Sequence, residues 1–218
     1  MTSRLTDLQT RVLAILHEVR PEWTLTGGGA LAGFHLGHRT TRDLDLFWHG
    51  LRVFAREPED CERLLRAAGL QVDVLQRSPS FVRLRASDGP HVVVLDLVAE
   101  AVPPIAAPQR VAVRDATIRI DTEHEIFANK LGTLLHRSEV RDLIDLRALL
   151  ARGADLASGL RDAAVKDGGF SPLMVAHLLQ GFPLRKLADA AGLTDLEIAE
   201  LATFRDRLAQ DILGFALP

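Results

Sequence analysis

GGGALAGFHLGHRTTRDLDLF, residues 27–47, joins three consecutive glycines, a short apolar run and two aspartates one residue apart. Just before it, Trp23–Thr26 is apolar and β-branched and reads as a strand. Ala30–Leu36 reads as a short helix beginning after the glycines, and Asp43–Trp48 as a second strand. Side chains two apart on a strand share a face. Asp43 and Asp45 therefore project together, while Leu44 and Leu46 turn the other way into a core. Neighbouring carboxylates repel, and each loses hydration when covered. A divalent cation relieves both costs, and Mg²⁺ takes one or two carboxylates together with phosphate oxygens. A solvated strand face with alternating charge is the plainer reading of the triplet by itself.

The glycines carry two readings as well. Between a strand and a helix they can bring backbone N–H groups up to an anion. They can equally serve a tight turn that needs positive φ. No Gly-Lys-Ser/Thr follows, and the spacing is not the dinucleotide fingerprint, so neither of those phosphate loops is present.

Outward from this stretch, helical spacing of Leu5, Leu8, Val12, Ile15, Leu16 and Val19 predicts an N-terminal helix stopped by Pro21. Pro58–Ala68 reads as a helix closed by Gly69. Leu70–Leu75, Phe81–Ala86 and Val92–Val98 read as strands, the last two joined in a hairpin by the turn residues Ser87–Pro90. A Pro-rich loop, Val102–Pro108, precedes a small hairpin of Val111–Val113 and Thr117–Ile120. From Thr122 the pattern is helical, with breaks near Ser138, Gly153, Gly168–Gly169, Gly181–Pro183 and Gly192. Leu196, Ile198, Leu201, Phe204, Leu208 and Ile212 form one stripe, read as core packing. Strands followed by a run of helices predict an α+β architecture: an α/β core over 1–121 and a helical subdomain over 122–218.

Composition narrows the classes. The chain has 218 residues, 47% hydrophobic and 25% charged, which suits a globular protein with a real core. The formal net charge of −3 gives no global basic field for nucleic acid, although a local patch would suffice. The lone Cys61 excludes an internal disulfide and a cysteine-cluster metal site. No apolar run reaches the roughly 18 residues of a membrane span, and the N-terminus lacks a signal-peptide pattern, so a cytoplasmic location without membrane partners is expected. A third carboxylate, Asp96, sits inside HVVVLDLVAE. Buried there, it either hydrogen-bonds structurally or helps hold a cation beside Asp43 and Asp45.

These motifs resemble the nucleotidyltransferases of the DNA polymerase β-like superfamily, and more narrowly the AbiEii/AbiGii toxin-type branch. That branch reads Gly-Gly-Thr-Ala-Leu, then Gly-His-Arg, then Asp-Leu/Ile-Asp-Leu/Phe-Phe. The matching positions are Gly27–Leu31, Gly37-His38-Arg39 and Asp43–Phe47. A second match, an Ala-x-Lys-Leu helix followed by Arg-Asp-x-x-Asp-Leu, falls on Lys130 and on Arg141–Leu146. The resemblance spans residues 23–150.

It implies a polymerase β-like fold whose helical subdomain completes the active site. It implies transfer of a nucleoside monophosphate from an NTP with Mg²⁺ or Mn²⁺. Asp43 and Asp45 are then the primary metal ligands, and Asp96 the third. Gly28 and Gly29 cradle phosphates, and Lys130 neutralises them. Asp142 and Asp145 orient Lys130 or contact the nucleotide, with Asp145 counted as catalytic; the alternative is a helix-surface ion pair. Arg39, with His38, contacts phosphate or braces the turn, the alternative being a helix C-terminal cap. Arg137, Arg141, Arg147 and Arg152 form a basic face for RNA or are simply solvated.

The superfamily's glycine-hydroxyl pair falls here on Gly29, where the hydroxyl is missing. RNA such as tRNA, or protein, is the expected acceptor, and an antitoxin the expected partner. An aminoglycoside-like small-molecule acceptor and a nucleotide-binding module that has lost catalysis stand as alternatives.

Overall fold

The computed structural model describes residues 4–216. The chain divides into two compact units, 1–122 and 123–218. The architecture is α+β, as the order of strands and helices predicts.

Unit 1 is built on a seven-stranded mixed sheet. Its strands are β1 (Thr24–Thr26), β2 (Asp43–His49), β3 (Gln71–Arg77), β4 (Phe81–Asp88), β5 (His91–Glu100), β6 (Gln109–Val113) and β7 (Ala116–Ile120). They lie in the order β3-β4-β5-β2-β1-β7-β6. The β4–β5 and β6–β7 hairpins form where the turn signals place them. β2 runs parallel to β5 and antiparallel to β1.

Alternation divides the central strands into two faces. Leu44, Leu46 and Trp48 of β2, Leu95 and Leu97 of β5, and Val82 and Leu84 of β4 are buried. Helices α1 (Asp7–Leu16) and α3 (Glu57–Ala67) pack against each other, α1 also against β5 and β7 and α3 against β3. The apolar stripe predicts α1 three residues longer at its C-terminal end than it runs. Trp23 Nε1 donates to the Leu16 carbonyl at 2.8 Å, satisfying an acceptor that another helical turn would use. At the other end Thr6 and Gln9 form a reciprocal capping box.

The glycines are not a loop ahead of a helix. Gly27 alone takes positive φ, at 58°. It opens the short helix α2 (Gly27–Ala30), which runs directly into a π-helical turn, Leu31–His35. Gly28 and Gly29 lie within the first helical turn.

Unit 2 is helical: α4 (Glu123–Thr133), α5 (Val140–Ala151), α6 (Leu156–Lys166), α7 (Pro172–Gln180), α8 (Leu184–Ala190) and α9 (Asp195–Ala216). The predicted breaks fall between them. Side chains of Asp155 and Ser171 cap α6 and α7, and Thr194 with Glu197 caps α9. Ile198, Leu201, Leu208 and Ile212 bury one stripe of α9. Among the described residues, no helix is long and apolar enough to cross a membrane.

Candidate active site

Register gathers the three sequence-predicted aspartates onto one sheet face. Asp45 of β2 stands opposite Asp96 of β5, and Asp43 lies two residues along β2. The row extends in both directions. Thr26 of β1 pairs with Asp45, and Arg83 of β4 pairs with Asp96. Four strands thus present Thr26, Asp45, Asp96 and Arg83 side by side. Asp43 and Asp45 are half-buried, and Asp96 is buried.

The glycine helix closes over this row. A Cβ at Gly27 would lie 2.4 Å from Asp45 Oδ2, so the Asp45 carboxylate rests directly on the glycine backbone. A Cβ at Gly28 would lie 2.8 Å from Arg39 Nη2 and 3.2 Å from Thr41 Oγ1. Thr41 in turn donates to Asp43 Oδ1 at 2.9 Å. Arg39 also donates from Nη1 to the Thr40 carbonyl, so it braces the chain between the glycine helix and β2.

Gly29 points elsewhere. Its Cβ would meet methyl carbons of Leu25 and Leu44 at 3.1 and 3.2 Å, on the apolar side. The missing hydroxyl at this position therefore leaves the polar cluster intact; the position whose side chain would enter that cluster is Gly28.

Asp96 is held by Arg83. The guanidinium donates from Nε to Oδ1 and from Nη2 to Oδ2, both at 2.6 Å. The hydrogen bond to Asp96 drives Arg83 above the usual guanidinium value, with Asp43 and Asp45 adding to it and burial working against it. Sequence reasoning missed Arg83, because only the β4–β5 register brings it to Asp96. Among the described residues, no three histidine, cysteine or carboxylate side chains converge to hold a metal ion. Asp43 and Asp45 offer hard oxygen donors side by side, a set that suits one divalent cation that also takes phosphate oxygens.

The second set of predicted residues lies within unit 2. Lys130 of α4 donates to Asp142 Oδ1 at 2.6 Å and lies 2.9 Å from Asp145 Oδ2. Both aspartates, one turn apart on α5, are fully buried, so the helix-surface ion pair is excluded as a description. Arg137, in the α4–α5 loop, reaches Asp142 Oδ2 at 3.0 Å. Burial pushes Lys130 down, but Asp145 and Asp142 outweigh it and hold the ammonium above its ordinary value. Burial likewise pushes Asp142 up, and Lys130 and Arg137 bring it below the ordinary carboxylate range.

Each arginine of the expected basic face meets a carboxylate: Arg137 at Asp142, Arg141 at Glu139, Arg147 at Glu200 and Arg152 at Glu123. Arg141 pairs with Glu139, two residues before it. The loop residue Arg137, which spacing on α5 does not reveal, takes the buried partner.

The sequence profile of the family described as "Nucleotidyl transferase AbiEii toxin, Type IV TA system" matches residues 11–215. Among solved structures, MenT4, a nucleotidyltransferase toxin of Mycobacterium tuberculosis H37Rv, superposes with a TM-score of 0.64 at 19% identity, over 96% of this chain and 85% of that one. JHP933 of Helicobacter pylori superposes with a TM-score of 0.55 at 19% identity, over 94% and 88% of the respective chains. No curated protein matches the sequence.

Proposed function

The chain belongs to the AbiEii nucleotidyltransferase toxin family, and we propose that it transfers a nucleoside monophosphate from an NTP to RNA, such as tRNA, or to protein, as the toxin of a toxin–antitoxin pair. The observation that carries this reading is the placement of Asp43 and Asp45 against the glycine helix, with the Asp45 carboxylate lying on Gly27. Anion seat and acidic pair are thereby adjacent, as a metal-bound triphosphate requires.

Asp43 and Asp45 are the residues that would hold Mg²⁺ or Mn²⁺. Bound there, the cation neutralises phosphate charge and favours the acceptor oxygen as nucleophile. The chain's own groups supply the rest. Thr41 fixes Asp43 by its hydroxyl. The first N–H groups of α2, at Gly28 and Gly29, have no acceptor inside a helix and suit phosphate oxygens. Arg39 braces that turn. Lys130, engaged by Asp142 and Asp145, belongs to a buried cluster within unit 2. In the transfer, the acceptor oxygen bonds to the α-phosphorus as the bond to pyrophosphate breaks, and the hydroxyl proton is released.

Gly29, the feature that favoured a module without catalysis, faces Leu25 and Leu44, so that alternative loses its support. The test is transfer of label from α-labelled NTPs to RNA, protein and aminoglycoside pools, with wild type and Asp43→Ala. Label in RNA or protein that vanishes in the variant is expected. Undiminished labelling by Asp43→Ala would sink the reading, and label confined to the small-molecule pool would replace the acceptor class.

A further inference from the structure

Asp96 completes the acidic row, yet both of its oxygens are engaged by one guanidinium. The Arg83 fork is bidentate at 2.6 Å on each side, the strongest geometry that a carboxylate–arginine pair adopts. The two partners differ in exposure: the Asp96 side chain is 12% accessible and that of Arg83 43%. The carboxylate is sheltered and the guanidinium is presented. The guanidinium carbon also lies 5.6 Å from the Phe81 ring centroid, a second hold on its position. Two of the five N–H donors are spent on Asp96, which leaves three. A divalent cation bound to Asp96 would sit within a few ångströms of this fixed positive charge, and such a pair repels strongly.

We propose that Asp96 is not a metal ligand in this chain but the anchor of Arg83, whose guanidinium stands in place of a second divalent cation and takes a phosphate oxygen of the nucleotide. The three-aspartate metal site expected from sequence reduces to two aspartates, with a resident cation beside them. Asp96 is then a positioning residue, and Arg83 a phosphate-binding one. The proposal rests on the nucleotidyltransferase reading of the same face.

Binding measurements on the full-length chain test it without turnover. Calorimetric and spin-resonance titrations with Mn²⁺ come first, then with a non-hydrolysable NTP analogue at saturating Mn²⁺. Wild type is expected to bind Mn²⁺, and Asp43→Asn to lose it. Asp96→Asn should keep Mn²⁺ affinity but weaken analogue binding about tenfold, the worth of one charge-assisted contact. Arg83→Ala should weaken the analogue similarly and bind Mn²⁺ more tightly, or bind a second ion, because Asp96 is released. Arg83→Gln reads the same way if Arg83→Ala does not fold.

Loss of Mn²⁺ in Asp96→Asn as deep as in Asp43→Asn would overturn the proposal. A drop in melting temperature in Arg83→Ala, with both affinities unchanged, would reduce the pair to a structural role and also overturn it. Failure of wild type to bind Mn²⁺ at all would instead remove the metal reading of Asp43 and Asp45, and the proposal with it.

Discussion

Two carboxylate clusters in this chain are built from the same residue types and solved in opposite ways. On the sheet of unit 1, Asp43 and Asp45 are half-buried and lie beside a glycine backbone, with Arg83 committed to the third aspartate. In unit 2, Asp142 and Asp145 are fully buried around a lysine that is itself buried, with Arg137 closing one side. A buried carboxylate without a matched cation is costly, so the helical cluster carries its counter-charge within the fold. The sheet pair keeps partial contact with water, as the proposed exchange of hydration for an external cation and phosphate needs. Burial, more than composition, separates the cluster that holds structure from the one proposed to hold substrate.

The two clusters should differ most at Lys130. Lys130→Met leaves Asp142 and Asp145 buried beside an apolar chain and should cost roughly 3–5 kcal/mol of stability. Urea unfolding measures it, and a loss below about 1 kcal/mol, the worth of an exposed pair, would make this cluster no different from a surface pair. Next in size is Gly27→Ala. The new methyl would sit 2.4 Å from Asp45 Oδ2 at a φ of 58°. Backbone strain of about 1–2 kcal/mol and loss of Mn²⁺ binding are expected together; intact binding would show that Asp45 does not depend on its glycine seat.

The pH dependence sharpens the contrast. Asp142 is depressed in the folded state, so its contribution is present above the unfolded carboxylate value of about 3.9 and is lost as pH falls through the lower folded one. Lys130 is raised, so its contribution is full below about 10.4 and is lost as pH rises through the higher folded value. Asp142→Asn should therefore be destabilising by a constant amount from about pH 5 to 9, and by less below about pH 4. A penalty that varies across neutral pH would contradict the assignment. The smallest effect is expected at Gly29→Ser. Its Cβ meets methyls of Leu25 and Leu44 at 3.1 and 3.2 Å and the Asp43 carbonyl at 3.8 Å, so stability should fall by about 1 kcal/mol. Label transfer should persist; its loss would show that a side chain at Gly29 reaches the phosphate site.

Much of this was legible in residues 27–47. Alternation through Asp43–Trp48 placed two aspartates on one face because a strand has a fixed period of two. Turn residues at Ser87–Pro90 located the β4–β5 hairpin, and glycine and proline breaks located the helices. What stayed hidden depends on pairing between distant segments. Arg83 meets Asp96 only through strand register, and Arg137 meets Asp142 from a loop. The directions of the three glycines were hidden for a related reason. Adjacent identical residues in one helical turn face Asp45, Arg39 and the Leu25–Leu44 core in succession, and nothing in the letters GGG distinguishes them. The π-helical turn that follows likewise gives no local signal beyond a short apolar helix.

On the proposed function, Asp43 serves transfer and not folding. Asp43→Asn, melted and then assayed with α-labelled NTPs beside wild type, tests it most directly. A chain that still unfolds in one cooperative transition, together with loss of label transfer, is expected. Labelling at the wild-type level by a folded Asp43→Asn chain would contradict it.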